Sequence, residues 1–280
     1  MARVPVIRVD DPADPRLAPY RNVPDPELLR TGGLFVAEGR LVVRRLIEAR
    51  RFPVQSVMVN DAAFAALRDL LTAHDRLTVY LVPQAVLNGI TGFNIHRGCL
   101  AIAERPRPRD WRDVMRGAQR AIALERIANA DNVGSILRSA AAFGLDAVLL
   151  ESTCTDPLYR KAIRTSMGAA LTMPFATAEP WPDVLRELGG SGASDRPDPV
   201  RASPWVVLAL TTSPSVPSLR DVAPAISNRP VVVLVGNEGE GLTEAALAAS
   251  THRARIPMSN RVDSLNVATA TAIALYELAR

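Results

Sequence analysis

An asparagine and an arginine six residues apart, Asn132 and Arg138, begin the part of the chain whose residue types could do chemistry. They fall in ALERIANADNVGSILRSAAAFGLDAVLL, which reads as a strand, a polar turn, a helix from about Asn132, a stop at Gly144 and another strand. Asp131 or Asn132 suits the N-cap. Arg138 lies about 9 Å along the axis from Asn132. Its side chain leans back toward the helix start, where unpaired N–H groups suit a phosphate or a ribose. A second stretch, GNEGEG at 236–241, follows the apolar run VVVLV, and its glycines let backbone approach a ligand closely. It lacks the order of a dinucleotide fingerprint and the Lys-Ser/Thr of a phosphate loop. Glu238 and Glu240 repel an anion but suit a sulfonium cation carrying ribose hydroxyls. In a third stretch, Ser264 and Asn266 precede a helix whose buried face is Val267, Ala270, Ile273, Ala274 and Leu278. Each of these residues also serves as an ordinary cap or turn residue. Their common position, where a strand gives way to a helix, is what points to a ligand site.

The elements that must hold them alternate along the chain. The second half carries expected strands at about 119–125, 147–152, 172–178, 205–212, 230–236 and 254–258, with helical patterns between them. Continuous apolar runs such as VVVLVG suit a parallel sheet buried on both faces. GGSGASDRPDPVRASP (189–204) has the composition of a mobile surface loop. Upstream, LFVAEG, RLVVRRLIEAR, VQSVMVN, AAFAALRDLLTAH, LTVYLV and GCLAIAE describe a smaller α/β domain at 31–105. Residues 1–30 read as an irregular arm and 106–117 as a linker, leaving 118–280 as the second domain.

Bulk properties narrow the class further. The formal charge is +4, but residues 1–117 hold 18 arginines against 13 acids, whereas 118–280 are near balance. A basic N-terminal half suits a polyanion such as a nucleic acid; Lys161 is the only lysine, so codon composition also accounts for part of the arginine bias. Arg40, Arg44 and Arg51 fall on one expected helical face, with Val43, Leu46 and Ile47 opposite. The two cysteines, Cys99 and Cys154, make no disulfide framework, and His74, His96 and His252 show no metal-ligand spacing, so no metal is expected. No signal-peptide-like or membrane-spanning run occurs, which makes the cytoplasm the default location.

Taken together, N-x-G-x-x-x-R-x-A-x-x-F-G at 132–144, G-N-E-x-x-G-L at 236–242, and I-P-M followed by S-L-N-V across 256–267 resemble the three motifs of the SpoU/TrmH family of RNA methyltransferases. KAIRTSMGAAL (161–171) is similar to a further stretch of that family, so the resemblance covers about 119–280. FVAEGRLVVRRLIEA and HRGCLAIAE resemble the substrate-binding domain of its ribosomal-RNA members. The resemblance implies a trefoil-knotted parallel α/β domain, an exception to the rule against threaded chains, that dimerises with a second copy. It implies S-adenosylmethionine as cofactor, bound in a bent form by Leu210–Thr212, Gly236–Gly241, Ile256–Met258 and Ser264–Val267, with Leu210, Thr211, Gly236, Asn237, Gly241, Ile256, Met258, Leu265 and Asn266 in contact. It implies transfer of methyl to a ribose 2'-hydroxyl. Arg138 is the matching catalytic residue, and Asn132, Glu238, Ser264 and Asn266 complete the catalytic set. Arg40, Arg44, Arg51, Arg138 and Lys161 are the expected RNA contacts. Ribosomal RNA is the expected substrate and tRNA the alternative. The joint presence of Asn132, Arg138, Glu238, Ser264 and Asn266 disfavours a non-catalytic RNA-binding protein of the same fold, and the missing phosphate fingerprint disfavours an NAD enzyme.

Overall fold

The computed structural model describes residues 5–21, 25–74, 77–91, 98–190, 204–259 and 261–279. The chain forms two compact units, Met1–Arg107 with Pro157–Thr172, and Pro108–Asp156 with Met173–Arg280.

The first unit is built on β1 (Val6–Arg8), α1 (Asp25–Gly32), β2 (Leu34–Glu38), α2 (Arg40–Ala49), β3 (Val54–Val59), α3 (Asp61–Thr72), β4 (Thr78–Leu81), α4 (Gln84–Thr91) and β5 (Cys99–Glu104). Its sheet runs β1-β4-β3-β5-β2, with β1, β4 and β3 parallel and β5 antiparallel to both β3 and β2. The expected N-terminal arm is therefore corrected in part. Val6–Arg8 pairs with Val79–Leu81 at the sheet edge, and Leu17 and Tyr20 are buried in the core beneath it. Residues this apolar cannot remain in a solvated arm without losing the free energy of burial.

The second unit begins earlier than the expected boundary. Within the expected linker, α5 (Trp111–Met115) buries Trp111, Val114 and Met115 in the second core. There follow β6 (Arg120–Leu124), α6 (Ala130–Ala142) and β7 (Ala147–Leu150). Between β7 and the next strand the chain passes through α7 (Arg160–Thr165), which belongs to the first unit. There it packs on β2, and the Arg160 backbone N–H and Nε both donate to Asp25, each at 2.9 Å. The stretch 161–171 thus leaves the C-terminal domain to which the sequence pattern assigned it. The second unit resumes with β8 (Phe175–Thr177), α8 (Asp183–Leu188), β9 (Val206–Leu210), α9 (Leu219–Ile226), β10 (Val231–Val235), α10 (Glu244–Ala249), β11 (His252–Ala254) and α11 (Val267–Leu278).

All six strands of this sheet run parallel, in the order β11-β9-β10-β6-β7-β8. β7 and β10 are buried at every position, as continuous apolar runs require. Because the strands are parallel, their carboxyl ends lie at one edge, where the motif loops emerge. The last strand is shorter than expected: it ends at Ala254, and Pro257 has no N–H to extend the ladder. Residues 191–203, most of the expected surface loop, lie outside the described residues, as does His96. Among the described residues no helix is long and apolar enough to cross a membrane.

Candidate active site

The loop after β10 owes its shape to two of its glycines. A Cβ on Gly236 would stand 2.6 Å from the carbonyl carbon and oxygen of Gly241 and 2.7 Å from the Leu242 nitrogen, so only glycine fits the crossing. Gly241 has φ +71°, in the left-handed region. Asn237 locks the turn: its Oδ1 accepts from the N–H groups of Gly239 (2.8 Å) and Glu240 (3.2 Å), and its backbone oxygen accepts from Gly241 (2.9 Å). Its Nδ2 donates to the Arg126 carbonyl at 3.1 Å, tying the loop to the end of β6. Arg126 also forms an ion pair with Glu240 at 2.5 Å.

Beneath this loop sits Glu125, 1% exposed. Its Oε1 accepts from Trp181 Nε1 (2.7 Å) and Thr243 Oγ1 (2.8 Å), and its Oε2 from the Thr243 N–H (2.8 Å). Thr243 in turn caps α10, its Oγ1 accepting from the Ala246 N–H at 3.2 Å. Sequence reasoning missed this network, although a lone acid closing the apolar run AIAL was a visible signal. Glu125→Ala leaves two half-buried side-chain donors and a backbone N–H without their acceptor, and is expected to cost about 1–3 kcal/mol in urea unfolding.

The turn before α6 is held by the segment that follows β7. The Cys154 thiol, which burial pushes up to about 11, donates to the Leu124 carbonyl and accepts from the Ile127 N–H, each at 3.3 Å. Burial opposes ionisation of Glu151, but hydrogen bonds from Thr153, Ser152 and the Arg126 N–H outweigh it and lower its pKa.

Helix α6 starts at Ala130, two residues earlier than expected. Asn129 is the cap, its Oδ1 accepting from the Asp131 N–H at 2.9 Å. That places Asn132 inside the first turn and leaves its amide available. Its Nδ2 donates to Glu238 Oε1, and its Oδ1 accepts from Asn266 Nδ2 at 3.0 Å. Asn266 caps α11, with Oδ1 accepting from the N–H groups of Ala268 (3.0 Å) and Thr269 (3.2 Å). The polarity of the chain follows from that cap. Because the Asn266 oxygen faces the helix N–H groups, its nitrogen must face the Asn132 oxygen, which turns the Asn132 nitrogen toward the Glu238 carboxylate. One line of hydrogen bonds therefore joins all three motifs. At the other end of α6, Gly144 (φ +68°) stops the helix as expected.

Around these loops lies a cavity of about 450 Å³ at the carboxyl ends of β9, β10 and β11. Of the expected cofactor contacts, Leu210, Thr211, Gly236, Asn237, Gly241, Ile256, Met258 and Leu265 line it, together with Glu238 and Ser264. Asn266 does not, because its amide is committed to the helix cap and to Asn132. Leu242, Leu247, Asp263 and Ala270 line the wall without having been expected there. Arg138 is exposed, and among the described residues its side chain makes no hydrogen bond or ion pair. Asn132 and Asn266 do not bond Arg138: the two amides bond each other, and Asn132 bonds Glu238. Ile273 is also corrected, from the buried face of α11 to 40% exposure.

The expected RNA contacts of the first unit separate. Arg40 begins α2 and is exposed, Arg44 pairs with Glu48 at 3.3 Å, and Lys161 is exposed on α7. Arg51 is not on the α2 face, because the helix ends at Ala49 and Arg50 turns the chain with φ +51°. Val43, Leu46 and Ile47 are buried as expected. Among the described residues no three His, Cys, Asp or Glu side chains form a group able to hold a metal.

A parallel α/β unit with a cavity assembled from three strand-to-helix loops defines a ligand-binding enzyme class of open-sheet type. Residues 119–276 match the SpoU rRNA Methylase family, and the chain belongs to that family. A protein of Mycobacterium bovis described as an uncharacterized tRNA/rRNA methyltransferase is 40% identical over 97% of this chain and 91% of its own length. A 23S rRNA (guanosine-2'-O-)-methyltransferase of Ralstonia nicotianae is 27% identical over 76% of this chain and 82% of its own. Among solved structures, an AdoMet-bound rRNA methyltransferase from Sinorhizobium meliloti superposes with TM-score 0.80 at 27% identity, covering 98% of this chain and 97% of the other.

Proposed function

We propose that this RNA methyltransferase transfers a methyl group from S-adenosylmethionine to a ribose 2'-hydroxyl of ribosomal RNA. The observation that carries the reading is the hydrogen-bonded line from Glu238 through Asn132 to Asn266, which ties the cavity loop to the helix bearing Arg138. The cavity volume lies in the range of small-ligand sites, about 300–1,000 Å³, and the crossing at Gly236 packs backbone on backbone at the cavity wall. Glu238 and Asp263 bring negative charge to its wall, while Glu240 is paired with Arg126, and that charge suits a cation. The Sinorhizobium and Ralstonia relatives support the cofactor and the ribosomal substrate respectively.

When bound, S-adenosylmethionine supplies a methyl group made electrophilic by its sulfonium. The protein's own work is positioning and charge. Gly236–Leu242, Ile256, Met258 and Leu265 hold the cofactor. Glu238, fixed by Asn132, sets the carboxylate at the cavity wall, and Ser264 stands beside it. Arg138 remains a cation; it holds the phosphate beside the target ribose and favours the alkoxide that develops as the 2'-oxygen attacks. The path of the chain through these loops is proposed to be the trefoil knot implied by the sequence motifs.

The same reading includes a homodimer. Ile273 (40% exposed) and Tyr276 (50% exposed) stand out from α11, and the Tyr276 ring packs edge-on against Phe143 after α6, 6.2 Å between centroids. A second copy of this face would cover them. Light scattering is expected to report a dimer for the natural chain and a monomer for Ile273→Asp/Tyr276→Asp; a dimer that survives both changes would move the interface elsewhere.

The test of the activity is incubation of total RNA with methyl-labelled S-adenosylmethionine. Label in an alkali-resistant dinucleotide of ribosomal RNA is the expected result. Label confined to tRNA overturns the substrate, and label on a base overturns the 2'-hydroxyl.

A further inference from the structure

The first unit carries a groove of about 840 Å³ where α2 and α3 end, lined by Ile47, Arg50, Arg51, Phe52, His74 and Leu77 among others. Its chemistry differs from that of the cavity in the second unit. Arg50, Arg51 and His74 bring basic groups, and no carboxylate occurs among the described lining residues.

Arg50 occupies a position that its side chain does not favour. It is the C-cap of α2 with φ +51°, in the left-handed region where helices commonly end on glycine. An L side chain pays a conformational penalty there, so packing preference does not account for arginine. The negative end of the α2 dipole favours a cation here, although the last turn itself holds no basic residue and includes Glu48. The cations lie beyond the helix end, on the groove. Arg50 is exposed, and among the described residues neither its side chain nor that of His74 makes a hydrogen bond or ion pair.

The floor beside them is rigid. Phe52 is 6% exposed and packs edge-on against Phe35, with centroids 5.1 Å apart. The Pro53 carbonyl accepts from the Glu104 N–H at 2.9 Å, fixing the start of β3 to β5. Arg51 lies with Cζ 5.3 Å from the Phe52 ring centroid, so its guanidinium is held to one side of a fixed ring.

We infer that this groove is a contact site for the phosphate backbone of the RNA substrate; the inference rests on the RNA methyltransferase reading above. Guanidinium groups match phosphate oxygens with paired N–H donors. Phe52, the phenyl ring among the described lining residues, is buried and offers no face for a base, so the contact is argued to read backbone rather than sequence. This adds Arg50 and His74 to the RNA-binding set and gives Arg51 a place off the α2 face.

The experiment measures binding of a fluorescein-labelled 30-nucleotide RNA hairpin of mixed sequence between 50 and 300 mM KCl, using the full chain. Arg50→Gln/Arg51→Gln/His74→Gln is expected to bind about tenfold more weakly at 100 mM, with the slope of log affinity against log salt reduced by about 2. Its affinity for S-adenosylmethionine, measured by calorimetry, is expected to stay within twofold of the natural chain. Arg50→Lys/Arg51→Lys, which keeps the charge, is expected to retain most of the slope. Arg50→Gly separates binding from structure: it is expected to weaken RNA binding while its thermal midpoint holds or rises by about 2–4 °C. An unchanged salt slope in the triple variant overturns the inference, as does an Arg50→Gly chain that melts lower and binds RNA normally. Methyl transfer to total RNA by the natural chain is measured alongside. If it occurs while the triple variant keeps its slope, only the groove assignment falls; if the natural chain neither methylates nor binds RNA, the functional reading falls and the groove assignment with it.

Discussion

Gly236→Ala is expected to lower methyl transfer by about 100-fold or more, because misplacing reacting groups by even about 1 Å can cost that much, and to weaken S-adenosylmethionine binding with it. The added Cβ meets only backbone: the Gly241 carbonyl group at 2.6 Å and the Leu242 nitrogen at 2.7 Å. No side chain can swing aside. The opposing strand of the turn is itself held by the Gly241 N–H to the Asn237 carbonyl and by the Asn237 side chain to Gly239 and Glu240. Relief therefore requires the end of β10 or the Gly241–Leu242 segment to move, and both border the cavity. Overpacking of this kind costs about 1–3 kcal/mol, so the variant is expected to remain folded with a lowered urea midpoint. Gly239→Ala, in the same loop, is the steric comparison, since its Cβ would meet only Asn237 Oδ1, at an ordinary 3.4 Å; its cofactor affinity is expected to fall far less than that of Gly236→Ala. Equal calorimetric affinities for the two variants would mean that the crossing at Gly236 does not shape the cofactor site.

Arg138→Ala is expected to reduce methyl transfer by about 10²–10³, the magnitude seen when one group facing developing negative charge is removed. Cofactor affinity is expected to be unchanged, because Arg138 does not line the cavity. Stability is expected to move by no more than about 0.5 kcal/mol, since the residue is exposed and its side chain makes no bond among the described residues. That combination distinguishes a catalytic arginine from a structural one. Arg138→Lys tests the role further: lysine keeps the charge but not the planar pair of donors, and is expected to recover only a minor part of the activity. Turnover within twofold of the natural chain in Arg138→Ala would sink the assignment and shift attention to Ser264 at the cavity wall.

Much of this site was legible in the residues. The apolar runs ending at Leu124, Leu150, Leu210 and Val235 mark buried strands because a parallel sheet covered on both faces tolerates little else. Gly236, Gly241 and Gly144 announce positions where a side chain is excluded or a left-handed turn is needed, and the structure uses each in that way. Errors arose where a short-range rule offered several answers. Asn129, Asp131 and Asn132 all suit a helix cap; the extended backbone at Asn129 and its bond to the Asp131 N–H select among them. Arg51 follows an unbroken helical pattern, yet the left-handed turn at Arg50 ends α2 before it.

What the sequence alone determined is the set of participants: three strand-to-helix loops, their small polar residues and the glycines that permit close approach. Local chemistry dictates these, because caps, turns and buried strands depend on neighbours a few residues away. Tertiary structure decided their partners. Asn132 bonds Glu238 and Asn266, 106 and 134 residues distant; Glu125 supports Trp181 and Thr243; and 157–172 joins the first unit. A side-chain amide or carboxylate has no sequence-encoded address beyond its own turn. Its partner is whichever group the strand order of the sheet brings within hydrogen-bonding distance.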